Sequence, residues 1–288
     1  MKLGVLGALP RAFADLTLDA IRGVRAMGFS GTGLPGGDDP AGVSNETARE
    51  AGKKFQDAGV ELIEYGRYGS NLVTRNDAQR KADIASLAQA CRVARGAGCP
   101  AVITGAGSMN PRGGWFPDRE NRSTETRDRL IASLREAVRA AEGEGVILGL
   151  ECHTVTPLYD AASTRDILDA VGSKSLRVHL DPINWLTFET VYDSGAATRK
   201  MFEVLGADRL LGSHDKGASV EDKLIIHMSE AVTGSPEDIF DHGALIREAA
   251  RMPAGFYLAI EHLKPDQMPA ARDHLLSIAK TIGVTFET

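Results

Sequence analysis

Cysteine is scarce in this chain of 288 residues: there are three, Cys91, Cys99 and Cys152, and no C-x-x-C pair among them. An odd, scattered set supports neither a disulfide framework nor a zinc ribbon, so a reducing cytoplasm is the expected compartment. Basic charge is also short, with 33 Lys and Arg against 39 Asp and Glu and a formal net charge of −6. Affinity for nucleic acid comes mainly from a Lys- and Arg-rich surface, so no nucleic-acid partner is expected. No uninterrupted apolar run approaches the roughly 18 residues of a membrane span, so no membrane partner is expected. The apolar start is broken by Gly4, Gly7, Pro10 and Arg11, which speaks against a signal peptide. H-E-x-x-H, G-x-S-x-G and G-x-x-x-x-G-K-[ST] are all missing, so zincin, serine-hydrolase and P-loop readings lack their starting residues. The stretch Gly31-Thr32-Gly33-Leu34-Pro35-Gly36 matches G-x-G-x-x-G by letter only. Pro35 and Asp38-Asp39-Pro40 stand where a pyrophosphate-binding helix should begin.

What is present is an ordinary globular composition, 43% hydrophobic and 25% charged, arranged as a repeated couplet. Short apolar runs predict strands at Leu3 to Leu9, Phe29 to Leu34, Val60 to Tyr65, Ala101 to Thr104, Val146 to Glu151, Leu176 to Asp181, Arg209 to His214 and Phe256 to Glu261. Amphipathic stretches at about 15–27, 44–58, 76–97, 123–143, 163–171, 196–205, 241–251 and 266–282 predict the helices between and after them. Gly28, Gly59, Gly98 and Gly145 each stand just before a strand, where a helix ends in the left-handed conformation. No Ser-, Pro- or Gly-rich linker interrupts the pattern. Eight βα couplets without a break predict one (β/α)8 barrel over residues 1–288. Two connections are long, about 105–122 and 215–240, and in such a barrel they crowd the C-terminal mouth where active sites form.

The last four strands each end on an ionisable side chain directly after apolar residues: Glu151, Asp181, His214 and Glu261. In a closed barrel these stand at one level of the rim. Three carboxylates brought together repel and raise one another's pKa unless a cation sits among them. Three carboxylates and an imidazole suit Mn²⁺ best, with Mg²⁺, Co²⁺ or Zn²⁺ as alternatives. The competing reading is that each acid merely solvates or caps its strand end.

The quartet, set in LGLECH, VHLDPINW, GSHDKG and LAIEHL, resembles the metal site of the xylose-isomerase-like barrel superfamily. The likeness covers nearly the whole chain, and IEHLKPDQMPAARDHLLSIAKTIG is similar to the closing unit of the sugar isomerase and epimerase branch. The resemblance implies that Glu151 and Glu261 both bind the metal and move protons on opposite sides of the substrate, with Asp181 and His214 as ligands only. Proton return to the same carbon epimerises and return to its neighbour isomerises. Loss of a β-hydroxyl makes the enzyme a lyase, on an inosose or a 3-keto sugar. A DNA-repair relative of endonuclease IV is disfavoured, because that chemistry resembles a histidine-rich multimetal cluster and only seven His occur here.

His153, Asn184, Lys216 and Trp115 are the expected substrate contacts. Asn184 departs from the His that ketose 3-epimerases place there, and no Arg follows His214, where Lys216 is the nearest base. For Lys216 a surface ion pair is the favoured alternative. Trp115 and Phe116 beside Gly113 and Gly114 read as a mobile lid, and Trp185 as either a site residue or a packing one. A small carbohydrate is the expected partner, and a homodimer is left open.

Overall fold

Each apolar run has formed a strand where the alternation placed one. In the computed structural model, which describes residues 1–225 and 227–287, the strands β1 (Lys2–Val5), β2 (Gly31–Gly33), β3 (Glu61–Gly66), β4 (Ala101–Gly105), β5 (Ile147–Glu151), β6 (Leu176–Leu180), β7 (Leu210–Asp215) and β10 (Tyr257–Ile260) pair in parallel. The pairing of β1 with β10 closes them into a barrel. Eight helices lie between and after them: α1 (Leu18–Ala26), α2 (Asn45–Ala58), α3 (Asp77–Ala97), α4 (Thr124–Glu144), α5 (Ala161–Val171), α6 (Ser194–Leu205), α7 (His242–Ala249) and α8 (Met268–Thr281). The architecture is the (β/α)8 barrel the couplets predict. No helix among the described residues is long and apolar enough to cross a membrane.

The helix limits have local causes. Ser44, Asn76 and Ser123 each accept a backbone N–H from the first turn of α2, α3 and α4. At the other ends Gly59, Gly98 and Gly145 adopt φ of 63°, 74° and 67°, the left-handed stop read from the sequence. The main core lies between the helices and the outer face of the barrel, where Leu87, Leu130, Leu134 and Leu148 are fully buried. Each such side chain contributes about 1.5–3 kcal/mol by leaving water. The barrel interior is filled separately by Ile63, Tyr257 and Ala259 with Leu6 and Leu211. Gly4 and Gly31 make room for Ile63, since a Cβ on either would come within 2.6 or 2.7 Å of it.

Two expectations change. The first strand ends at Val5 rather than Leu9, because Gly7 turns the chain at φ 78°. The long connection after β7 carries its own antiparallel hairpin, β8 (Gly217–Val220) with β9 (Met228–Ala231), whose tip exposes Leu224 and Ile225. The hairpin base is clamped. His242 places Nδ1 2.9 Å from Asp215 and Nε2 2.7 Å from Asp238, and Asp238 accepts the Ala218 N–H at 3.1 Å. The other long connection, read as a mobile lid, is stitched by buried Asn121, which accepts the Met109 N–H and donates to Ser108 and to the Val155 carbonyl.

Candidate active site

Parallel strands deliver their C-terminal residues to one rim, and the quartet meets there. Glu151 ends β5, Asp181 and Glu261 directly follow β6 and β10, and His214 lies one residue before the end of β7. One ligand atom from each lies within 4.8 Å of the others, and all four side chains are buried. His214 Nδ1 stands 3.1 Å from Glu261 Oε1 and 3.7 Å from Glu151 Oε1. Asp181 divides its roles. Its Oδ1 caps the short turn Pro182–Trp185 by accepting the Ile183 N–H at 3.1 Å, and Oδ2 is left to face the site.

Lys216 is the main correction to the sequence reading. It is not in a surface pair: its side chain is 3% exposed, with Nζ 2.6 Å from Asp181 Oδ2, 3.0 Å from Glu261 Oε1 and 3.4 Å from Asn184 Oδ1. The cause is strand periodicity. β7 runs past His214 to Asp215, so Lys216, two residues on from His214, returns to the same inner side while Asp215 turns outward to His242. Asn184 in turn donates from Nδ2 to Glu151 Oε1 at 3.0 Å, joining Lys216 to the quartet's far side.

The two glutamates are pushed apart electrostatically. Burial raises the Glu151 carboxyl above its ordinary range, and the more distant imidazole relieves this only in part. Glu261 meets the same burial, yet His214 and Lys216 against it hold its carboxyl far below that range. Burial also works against the charged forms of His214 and Lys216, but the surrounding carboxylates hold both above their ordinary values.

The donor set fits a divalent cation. Asp181 Oδ2, Glu261 Oε1 and His214 Nδ1 face the site buried and held only by ion pairs, with no further hydrogen-bond partner. Unsatisfied oxygen and nitrogen atoms converging on one point are what a hard, oxygen-preferring metal requires.

Beneath the quartet lies a layer that reading only the last four strands missed. Glu64 of β3, 1% exposed, has Oε2 3.4 Å from His179 Nε2 and 3.7 Å from His214 Nε2. It accepts hydrogen bonds from Tyr68 at 2.7 Å and Tyr257 at 3.2 Å. Burial would raise the Glu64 carboxyl, but the two imidazoles and Tyr68 keep it below its ordinary range. Burial, helped by His214, drives His179 down to about 3. The signal was available: Glu64 also follows an apolar run near a strand end.

One wall of the mouth is Trp115, whose indole donates to the Tyr68 carbonyl at 2.8 Å and lies edge-on to His153 at 6.2 Å. His153 is half-buried, and its Nδ1 accepts the Val155 N–H at 3.2 Å. Trp185 instead packs, donating to the Leu158 carbonyl at 2.7 Å in the core. On the opposite side a cavity of about 650 Å³ is lined by Leu6, Leu9, Glu64, Tyr68, Glu261 and His262.

A family model described as xylose isomerase-like TIM barrel matches residues 21–280. Among solved structures, D-psicose 3-epimerase from Clostridium cellulolyticum H10, solved with D-tagatose, is 15% identical over 99% of this chain and 100% of its own, with TM-score 0.73. A xylose isomerase-like TIM barrel protein from Mycobacterium smegmatis in complex with magnesium is 14% identical over 97% of each chain, with TM-score 0.70. The probable 3-DHS dehydratase of petrobactin synthesis from Bacillus anthracis is 18% identical over 96% of this chain and 99% of its own, with TM-score 0.69. No curated protein sequence matches. With the family model spanning nearly the whole barrel, the chain belongs to the xylose isomerase-like TIM barrel family.

Proposed function

We propose that this chain is a divalent-metal-dependent sugar isomerase or epimerase acting on a free sugar or small polyhydroxy ketone. The observation that carries the reading is geometric: Glu151 and Glu261 face His214 Nδ1 at 3.7 and 3.1 Å within one buried cluster of four possible metal ligands. Two carboxylates placed on one reacting carbon can take a proton and return one. Glu261, with the Lys216 ammonium 3.0 Å away, takes the proton from the carbon beside the carbonyl. Glu151 returns a proton from the other side of the site. Glu151, Asp181, His214 and Glu261 would hold the cation, with Mn²⁺ as the expected metal and Mg²⁺ as the alternative the donor set also suits. When bound, that cation would acidify the carbon acid and offset the charge developing on the carbonyl oxygen. His153, Asn184, Lys216 and Trp115 serve substrate oxygens and the ring face.

The test is solvent isotope uptake. Free ketoses and 3-keto sugars incubated with the Mn²⁺-loaded protein in D₂O are expected to gain deuterium at the carbon next to the carbonyl. Glu261→Gln should abolish the gain and leave the fold intact. Undiminished exchange in that variant would sink the mechanism. A product lighter by one water would assign the same site to elimination instead.

A further inference from the structure

Glu230 approaches the site from outside the barrel. It lies on β9, paired with Ala218 of β8, yet its carboxylate reaches back over the mouth. Oε1 stands 3.0 Å from Lys216 Nζ and Oε2 2.8 Å from His262 Nδ1. Those two basic groups flank Glu261: Lys216 Nζ is 3.0 Å from its Oε1, and His262 Nε2 is 3.8 Å from its Oε2. One carboxylate thus ties together the side chains on either edge of the residue assigned to take the proton.

His262 also carries backbone strain. At φ 59° it is the one non-glycine with positive φ among the described residues. An L-residue holds that conformation only where its surroundings enforce it, and such sites cluster at ligand clamps. Here the conformation places His262 on the lining of the 650 Å³ cavity beside Glu261, within reach of Glu230. The Asp215–His242–Asp238 clamp at the hairpin base gives Glu230 a fixed platform.

We infer that Glu230 is a positioning residue, which holds Lys216 and His262 at the two edges of Glu261 as hydrogen-bonding partners for a substrate hydroxyl. With Nδ1 held against Glu230, the imidazole turns its Nε2 edge toward the cavity beside Glu261. The 3.8 Å gap between Nε2 and Glu261 Oε2 is too long for a direct bond. A substrate hydroxyl oxygen fits that gap and gives its single proton to the Glu261 carboxylate. The ligand class is therefore a polyol, whose hydroxyl supplies the proton that the carboxylate accepts and that an anion lacks. This inference rests on the proposed proton-transfer reading of the same site.

The experiment compares the wild type with Glu230→Gln, Glu230→Ala and Glu230→Asp, all Mn²⁺-loaded, on the ketose that exchanges fastest. Loss of the tether is expected to raise KM about tenfold or more while kcat falls by less than about threefold, with partial recovery in Glu230→Asp. The second readout is the imidazole ¹⁵N spectrum at mildly alkaline pH, with the His262 signals assigned by their loss in His262→Gln. The Nδ1–H pattern of the wild type should give way to a tautomer mixture in Glu230→Gln. Xylitol, used as the polyol probe, should shift those signals in the wild type and not in Glu230→Gln. Wild-type KM together with an unchanged His262 tautomer in Glu230→Gln and Glu230→Ala would overturn the inference. If no ketose or 3-keto sugar turns over even in the wild type, the proposed function fails, while the tautomer and xylitol readouts still decide the role of Glu230.

Discussion

Replacing Lys216 by Met separates the charge roles in the site. The ammonium touches Asp181 at 2.6 Å and Glu261 at 3.0 Å, and it is buried. Removing one partner of a buried ionic group leaves the other uncompensated and typically costs about 3–5 kcal/mol. For a chain of this size that corresponds to a fall in Tm of about 6–20 °C, at 2–4 °C per kcal/mol. A divalent cation in the quartet supplies the missing charge, so saturating Mn²⁺ should recover most of the loss. At a hundred times Kd, ligand binding alone contributes about 2.7 kcal/mol. Metal affinity should move the other way. An ammonium 4 Å from a divalent ion is repelled by about 8 kcal/mol at an effective dielectric near 20, twice the unit-charge figure, and the flexible Lys stem can swing toward Glu230 to escape most of that. A residual sixth of the repulsion makes Lys216→Met bind Mn²⁺ about tenfold more tightly. The assays are thermal unfolding in EDTA and in Mn²⁺, and calorimetric titration with Mn²⁺. Equal Tm losses under both conditions, or weaker metal binding, would refute Lys216 as the counter-charge of the empty quartet.

Glu64→Gln removes the anion beneath His214, and by analogy with other carboxylates behind metal-binding histidines it should weaken Mn²⁺ binding about 10–100-fold with little change in Tm; unchanged affinity by titration would remove Glu64 from the site. His242, held between Asp215 and Asp238, is raised from 6.5 to about 10 because those carboxylates outweigh its burial. The folded value exceeds the unfolded one, so its contribution is complete below about pH 6.5 and is lost as pH climbs toward 10. His242→Gln should therefore cost about 3–5 kcal/mol at pH 6, with the difference from wild type narrowing toward pH 10 in urea unfolding; a difference independent of pH would show that the clamp is not ionic. Glu261→Gln, inactive in deuterium exchange, removes one buried partner of Lys216 and should lower Tm by no more than Lys216→Met does, because Asp181 and Glu230 still face that ammonium. A collapse of the fold would make its inactivity uninformative about chemistry, and Glu151→Gln would then carry the test.

The barrel was legible because its two periodicities are written locally. Gly59, Gly98 and Gly145 stop helices by their own backbone freedom, and the strand runs between them need no tertiary information. The quartet was legible for a related reason: parallel strands in one barrel must end at one rim, so an acid after each apolar run has nowhere else to go. The hidden residues depend on contacts across the barrel or on chain that turns back. Glu64 gains its meaning only when His179 and His214 from other strands close over it. Glu230 does so only because β8 and β9 pair, and nothing in EDKLIIHMSEA announces a hairpin that returns to the mouth. Lys216 was misread by one step of strand period, since ending β7 at His214 instead of Asp215 leaves it free to be a surface side chain.

That single residue changes the reason for expecting a metal. Repulsion among Glu151, Asp181 and Glu261 demands positive charge but does not say which, and Lys216 supplies some of it from within the chain. The charge count decides what remains. In the site without metal, the ammonium and a protonated His214 leave the quartet's three carboxylates one charge short, and Glu151 is pushed upward, mainly by its burial and further by Glu261 and Asp181. A divalent ion requires His214 as a neutral ligand, and then the ion and Lys216 together match the three carboxylates. On the proposed reading Lys216 is thus the complement of a divalent cation rather than its substitute. A monovalent ion would leave the site anionic, and a trivalent ion would leave it with excess positive charge unless Lys216 withdrew to Glu230.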